Sequence, residues 1–261
     1  MGKLSPEELW RVEFTGQSPT LQRLRRLWKL LPGAPRCKQC NAPFGGLGAP
    51  IASLRGRQRS KKNPRYCNYC DTIAREHRGG AEIELTLLFA DVRGSTALAE
   101  RISPSAFSQL MSRFYVAASH VLIHTDAWID KFVGDEVIGL YFPFLPDHSA
   151  RAVHAALDLM RATGQGSASG PWIPIGIGIH TGIAFVGAIG GDETAPEVTA
   201  LGDAVNLTAR LVAVAAAGEI LISDAAFAAA GLADEDLERR ELTLKGKSEP
   251  VAVRVMRVAA A

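Results

Sequence analysis

Residues 83–90 constrain the fold more than any other stretch: they form a β-rich apolar run with no helical polar face, and the run ends at a carboxylate, Asp91. A strand of this kind is stable only where both its faces are covered, so the chain must bring helices onto a sheet. The sequence that follows provides them. Ser103-Pro104 opens a helix as an N-cap followed by a first-turn proline, and Phe107, Leu110, Phe114, Ala117, Val121 and Leu122 carry it at helical spacing. Residues 148–162 form a second amphipathic helix, and the Gly/Ser stretch 164–170 is a flexible connection. Strands alternate with these helices. Residues 128–133 and 137–142 flank Gly134-Asp135-Glu136 as a hairpin, 173–180 and 183–189 flank Thr181-Gly182 as a second, and 238–245 and 251–258 close around Gly246 as a third. Gly202-Asp203 opens a helix to residue 217, residues 219–222 form a strand, and 225–230 a short helix. Hairpins among crossover helices predict an α+β sheet with mixed strand directions.

Charge divides the chain. Residues 1–79 carry 16 Lys and Arg against 5 Asp and Glu, about +11, whereas residues 80–261 carry 13 against 22, about −9. Gly79-Gly80 marks the boundary, and the expected organisation is a basic helical segment (1–35), a cysteine module (36–79) and a catalytic domain (80–261). Leu21, Leu24, Trp28 and Leu31 place a short basic amphipathic helix at 19–31, read first as a packing helix and second as a membrane-surface contact; residues 41–62 read as a loop. The four cysteines all lie in the basic part, as Cys37-x-x-Cys40 and Cys67-x-x-Cys70 with 26 residues between the pairs. No apolar signal core precedes them, so the pairs point to metal before disulfides. Four thiolates in tetrahedral array suit a structural Zn²⁺; an iron–sulfur or rubredoxin-like centre and free thiols are the alternatives. The basic run from Arg55 to Arg65, beside Tyr66 and Tyr69, has the composition of a nucleic-acid contact but reads more simply as a solvated loop. A transmembrane segment needs about 18 apolar residues, which the sequence lacks, so a soluble, cytoplasmic protein is expected.

Three motifs carry chemistry. Asp91 stands between the buried strand and a small-residue turn, Val92-Arg93-Gly94-Ser95-Thr96, whose amides can cradle phosphate if a divalent cation lies between phosphate and carboxylate; a helix cap is the simpler use of such a residue. Lys131-Phe132-Val133-Gly134-Asp135-Glu136 puts Asp135 at a hairpin tip, either as turn chemistry or, with Asp91 alongside, as half of a two-metal site. In Thr199-Ala200-Leu201-Gly202-Asp203-Ala204-Val205-Asn206-Leu207-Thr208-Ala209-Arg210, Asn206 and Arg210 share a helix face, suited to a ribose hydroxyl and to charge on a phosphorane, while Asp203 reads as a cap. The six histidines, His77, His120, His124, His148, His154 and His180, suggest no further metal site.

These motifs, with Ile177-Gly178-Ile179-His180-Thr181-Gly182, occur in the order found in the class III adenylate and guanylate cyclase catalytic domain, which residues 82–257 resemble. The resemblance implies a ferredoxin-like, palm-type mixed sheet with flanking helices, two Mg²⁺ or Mn²⁺ held by Asp91, the Val92 carbonyl and Asp135, and transition-state roles for Asn206 and Arg210. It further implies that Gly94, Ser95, Thr96 and Lys245 contact the triphosphate and that Lys131 and Thr199 read the base. A lysine donates to adenine N1 and a threonine hydroxyl accepts from the 6-amino group, so ATP is the expected substrate and cyclic AMP the product. In this family the site forms between two chains, which implies a homodimer with two sites. Ser95 stands where many members have Phe, and Thr199 where the mammalian membrane enzymes have Asp. A guanylate cyclase, a non-catalytic nucleotide-binding module and a zinc-dependent nucleic-acid binder are the rivals; a diguanylate cyclase would need Gly-Gly-Asp-Glu-Phe where this chain reads Val133-Gly134-Asp135-Glu136-Val137.

Overall fold

The computed structural model describes residues 5–76, 79–189, 197–233 and 237–259. His77 and residues 1–4 of the basic segment lie outside the described residues. In chain order the elements are α1 (Pro6–Phe14), α2 (Pro19–Lys29), α3 (Gly48–Leu54), α4 (Asn68–Glu76), β1 (Gly79–Val92), α5 (Ser95–Arg101), α6 (Pro104–His124), β2 (Trp128–Val133), β3 (Glu136–Tyr141), α7 (His148–Ala162), β4 (Ile175–Ile189), β5 (Glu197–Leu201), α8 (Asp203–Val214), β6 (Ile220–Ser223), α9 (Asp224–Ala229), β7 (Glu238–Leu242) and β8 (Val251–Met256). They fall into two compact units, one of residues 1–84, 142–146 and 183–202, the other of residues 85–141, 147–182 and 203–261.

In the larger unit the strands run in the order β2-β3-β1-β4-β6-β8-β7. β1 pairs β3 antiparallel and β4 pairs β6 parallel, giving the mixed α+β sheet expected. Burial explains the apolar runs. Ile220 and Ile222 of β6 face a core shared with Phe114, Leu122, Ala156 and Leu159 of α6 and α7, while Leu221 faces a second core with Leu207 and Leu211 of α8. Both faces of the sheet are thus covered, and polar alternation has nowhere to appear. Ser103 caps α6 through Ala106 N–H, with Pro104 in the first turn, as its sequence indicates.

Two expectations need correction. Thr181-Gly182 is not a turn: β4 runs unbroken for 15 residues from Ile175 to Ile189. Buried tertiary contacts keep it extended. Thr181 Oγ1 lies 2.8 Å from Thr86 Oγ1 on β1, and Gly182 takes no side chain because a Cβ there would sit 2.8 Å from His180 Nε2. The span 41–62 is not all loop, since α3 lies within it. Its seven residues make less than two periods and include Gly and Pro, too little for a periodic signal.

The smaller unit has an aromatic core. Trp10 stacks on Phe14 with centroids 5.1 Å apart, Phe14 meets Phe142 at 4.7 Å, and Tyr66 meets Phe144 edge-on at 6.2 Å. Ser5 and Glu8 form a capping box at the start of α1.

Candidate active site and metal centre

The β2–β3 hairpin closes through two residues, Gly134 and Asp135, between the paired Val133 and Glu136. Gly134 takes the left-handed conformation (φ 60°) that such a tight turn requires. β1 lies beside β3 with Asp91 opposite Glu136, and Val92 N–H donates to the Asp135 carbonyl at 3.2 Å. Asp91, Val92 and Asp135 are therefore brought together at one end of two adjacent strands, with Glu136 beside them.

Among the described residues, one cation answers this cluster. Arg93 forms an ion pair with Asp91, and its Nη1 donates to the carbonyls of Val212 (3.0 Å), Ala213 (3.3 Å) and Ala215 (3.4 Å) at the end of α8. These carbonyls lie at and just past the C-terminal end of α8, where Ala215 N–H also reaches the Val212 carbonyl at 3.2 Å, and a guanidinium there sits in the direction the helix dipole favours. Arg93 so ties the Asp91 strand end to the helix that carries Asn206 and Arg210. Burial weakens its charge, opposed by Asp135 and Glu136. The balance stays negative: burial and then the Asp135 charge push the Glu136 carboxyl up. Tyr115 of α6 donates its hydroxyl to the Gly134 carbonyl, and its ring packs 4.9 Å from Phe132, bracing the tip. A crowded set of carboxylates with one guanidinium fits divalent cations by charge and by donor type. Arg93, Tyr115 and Glu136 escape a sequence reading, because the contacts that give them a role are distant in the chain.

Gly94, at φ 72°, turns the chain from β1 into α5, with Ser95 half-buried and Thr96 exposed in the first turn. Asn206 is exposed on α8, and Arg210, one turn on, lies over the β7–β8 turn: a Cβ at Gly246 would sit 3.1 Å from its Nη2. Lys245 is exposed in the same turn, and Lys247 donates to Asp203 at 2.5 Å. Arg210, Lys245 and Lys247 thus gather at the turn beside α8. Lys247 carries no sequence signal of its own. His180 Nδ1 lies 2.8 Å from Ser223 Oγ, and burial, reinforced by Lys247, lowers its pKa to about 4. Lys131 is half-buried on β2 beside a bulge at Asp130, with Nζ 3.7 Å from that carboxylate. Thr199 of β5, opposite Gly187, is buried and belongs to the smaller unit, whereas Lys131 belongs to the larger.

In the smaller unit Cys37, Cys40, Cys67 and Cys70 are all buried, and their sulfurs lie within 4.8 Å of one another. Cys67 N–H donates to Cys37 Sγ at 3.3 Å and Cys70 N–H to Cys67 Sγ at 3.4 Å, the backbone support expected of two thiolate knuckles. Ser60 Oγ and Asn63 Nδ2 donate to Asp71 at 2.7 and 3.2 Å and fix the approach to the second knuckle. Hydrogen bonds from neighbouring thiols, Cys37 foremost, hold Cys40 and Cys67 low, while burial pushes Cys37 up. Arg57 is buried beside them, its guanidinium 4.1 Å over the Tyr69 ring; burial opposes its charge and the thiolates of Cys40, Cys67 and Cys70 sustain it. Four converging thiols with a buried counter-charge fit a metal ion.

Comparison with known proteins places the larger part of the chain. The model of the adenylate and guanylate cyclase catalytic domain matches residues 80–256, a span that leaves out the four cysteines. An adenylate cyclase of Anabaena cylindrica is 30% identical over 133 residues, covering 49% of this chain and 26% of that protein. The guanylyl cyclase Cya2 superposes with a TM-score of 0.61 at 27% identity, over 70% of this chain and 95% of that one. The adenylyl cyclase CyaB from P. aeruginosa does so with 0.58 at 28%, over 69% and 96%. The chain spans only 8% to 48% of the length of the first curated relatives it matches. With two thirds of its residues matched, the chain belongs to the adenylate and guanylate cyclase catalytic domain family.

Proposed function

We propose that the chain is an adenylate cyclase, converting ATP to 3′,5′-cyclic AMP and pyrophosphate as a homodimer. The observation that carries this is the meeting of Asp91 and Asp135 at the Val92–Asp135 hydrogen bond, with Arg93 joining that point to α8. Asp91, the Val92 carbonyl and Asp135 would hold two Mg²⁺ or Mn²⁺, which supply Lewis-acid stabilisation of phosphate charge and make the ribose 3′-hydroxyl more acidic. The ribose 3′-oxygen forms a bond to the α-phosphorus as the bond to the pyrophosphate oxygen breaks, and the hydroxyl proton leaves to solvent. Asn206 orients the ribose and Arg210 neutralises charge on the α-phosphoryl group. Gly94, Ser95 and Thr96 offer first-turn amides to the phosphates, and Lys245 adds a cation to the triphosphate. Lys131 donates to adenine N1, and Thr199 accepts from the 6-amino group. Each protomer gives the aspartates to one site and Lys131, Thr199, Asn206 and Arg210 to the other, so a monomer holds two half-sites.

The cysteines form a structural Zn²⁺ module of residues 36–79, preceded by the helical segment 1–35 and followed by the catalytic domain 80–261. Among the described residues no helix is long and apolar enough to cross a membrane, and a cytoplasmic setting supplies the substrate. Purified protein at micromolar concentration, given ATP or GTP with Mg²⁺ or Mn²⁺, should yield cyclic AMP in preference to cyclic GMP. Preference for GTP would make it a guanylate cyclase, as Cya2 is by description. No product from either nucleotide would leave only a nucleotide-binding module.

A further inference from the structure

Between Glu13 and Asp71 the chain carries twelve Lys and Arg and no Asp or Glu. Within that span α3 is arranged with its small residues inward: Gly48 and Ala52 are buried. Leu47, Pro50, Ile51 and Leu54, at the i, i+3, i+4 and i+7 positions of one face, are exposed, Leu47 by 82% and Leu54 by 89%. α2 does the same. Leu21 and Trp28 are buried, and the opposite face exposes Arg23, Arg26, Leu27 (62%) and Leu30 (79%). The two helices are neighbours: a Cβ at Gly48 would lie 3.1 Å from Leu31 Cβ, and the Arg55 guanidinium stands 6.0 Å over the Trp28 ring. A single exposed leucine is unremarkable, but leucines repeated on the outer faces of two neighbouring helices are more exposed apolar surface than a soluble chain normally presents.

The charge of the surroundings selects the partner. A second copy would set a basic surface against itself. Nucleic acid would engage the basic groups through its phosphates but would give the aliphatic stripe no counterpart, since bases stack on aromatic and guanidinium planes. The surface of an anionic bilayer satisfies both features, with lipid phosphates at Arg23, Arg26, Lys29 and Arg55 and the acyl boundary at the leucines. We propose that the α2–α3 face docks the chain peripherally on anionic lipid membrane, holding the cyclase domain at a membrane surface without a spanning helix.

The test is vesicle co-sedimentation of the full chain. Vesicles of phosphatidylcholine with about a third phosphatidylglycerol should bind it, and pure phosphatidylcholine should not. Leu47→Ser/Leu54→Ser, a change at exposed positions, should weaken binding about tenfold with the thermal transition unchanged. Arg23→Gln/Arg26→Gln should weaken it comparably, and high salt should release the wild-type chain. The proposal is overturned if neither vesicle binds, if both bind equally, or if the leucine variant binds as the wild type does. It is equally overturned if the leucine variant loses self-association instead of vesicle binding, or if duplex DNA or RNA competes the chain fully from vesicles.

Discussion

The cysteine module and the carboxylate end of the sheet handle like charges in opposite ways. In the module, four buried thiols converge with a guanidinium, Arg57, already buried beside them, and amides of the chain point at two of the sulfurs. At the sheet end, Asp91, Asp135 and Glu136 share one guanidinium, Arg93, which is also occupied by the last carbonyls of α8. The first centre is closed and compensated, as a structural site should be. The second is partly exposed and keeps a negative excess, as a site that takes cations together with a charged substrate should.

Breaking the module should have the largest effect. On the zinc reading Cys67→Ser removes one of four ligands, so metal on elemental analysis and amide protection across residues 36–76 in hydrogen exchange should both be lost. Retained metal and protection would show the thiols to be simply core. Arg93→Ala comes next at the other centre. It removes the guanidinium shared by the Val212, Ala213 and Ala215 carbonyls and leaves Asp91 without its ion pair, at about 2–3 kcal/mol. Chemical denaturation should report the loss, and kcat should fall more than KM rises, because α8 is no longer held to the strand end. Unchanged kcat would reduce Arg93 to a helix-end tie.

These two cases differ in what the sequence reveals. The thiol pairs announce themselves by spacing alone, since a metal centre needs only ligand type and local geometry. The helix α6 is equally legible, because Ser103, Pro104 and the apolar period are local. Asp91 and Asp135 each resemble ordinary cap and turn residues and gain meaning only from their order among other motifs. Arg93 is silent because its partners lie some 120 residues away on α8. Thr181-Gly182 misleads for the same reason: the pair has turn composition, and contacts distant in the chain, with Thr86 on β1 and Ser149 on α7, keep it extended.

Gly182→Ala sharpens that last point. With His180 Nε2 at 2.8 Å and Ala204 Cβ at 3.2 Å from the new Cβ, the added methyl should cost about 1–3 kcal/mol, read as a lower denaturation midpoint; a neutral substitution would mean the strand has room to shift. Acid titration should have the smallest effects. His180 is neutral in the fold with its pKa lowered to about 4 from 6.5, so its contribution is complete above pH 6.5 and is lost as pH falls through 4. Glu219 is held at about 2 from 4.5, chiefly by Arg240, so its contribution is complete above pH 4.5 and is lost as pH falls through 2. Melting temperatures of Glu219→Gln should converge with the wild type only in that lower window; a constant gap down to pH 2 would contradict the ion pair.

The central claim is that Asp91 and Asp135 together form the catalytic metal site. Asp135→Ala, assayed for cyclic AMP from ATP with Mn²⁺ alongside circular dichroism and sedimentation, should make no product while keeping the fold and association state of the wild type; turnover at the wild-type rate would contradict the claim.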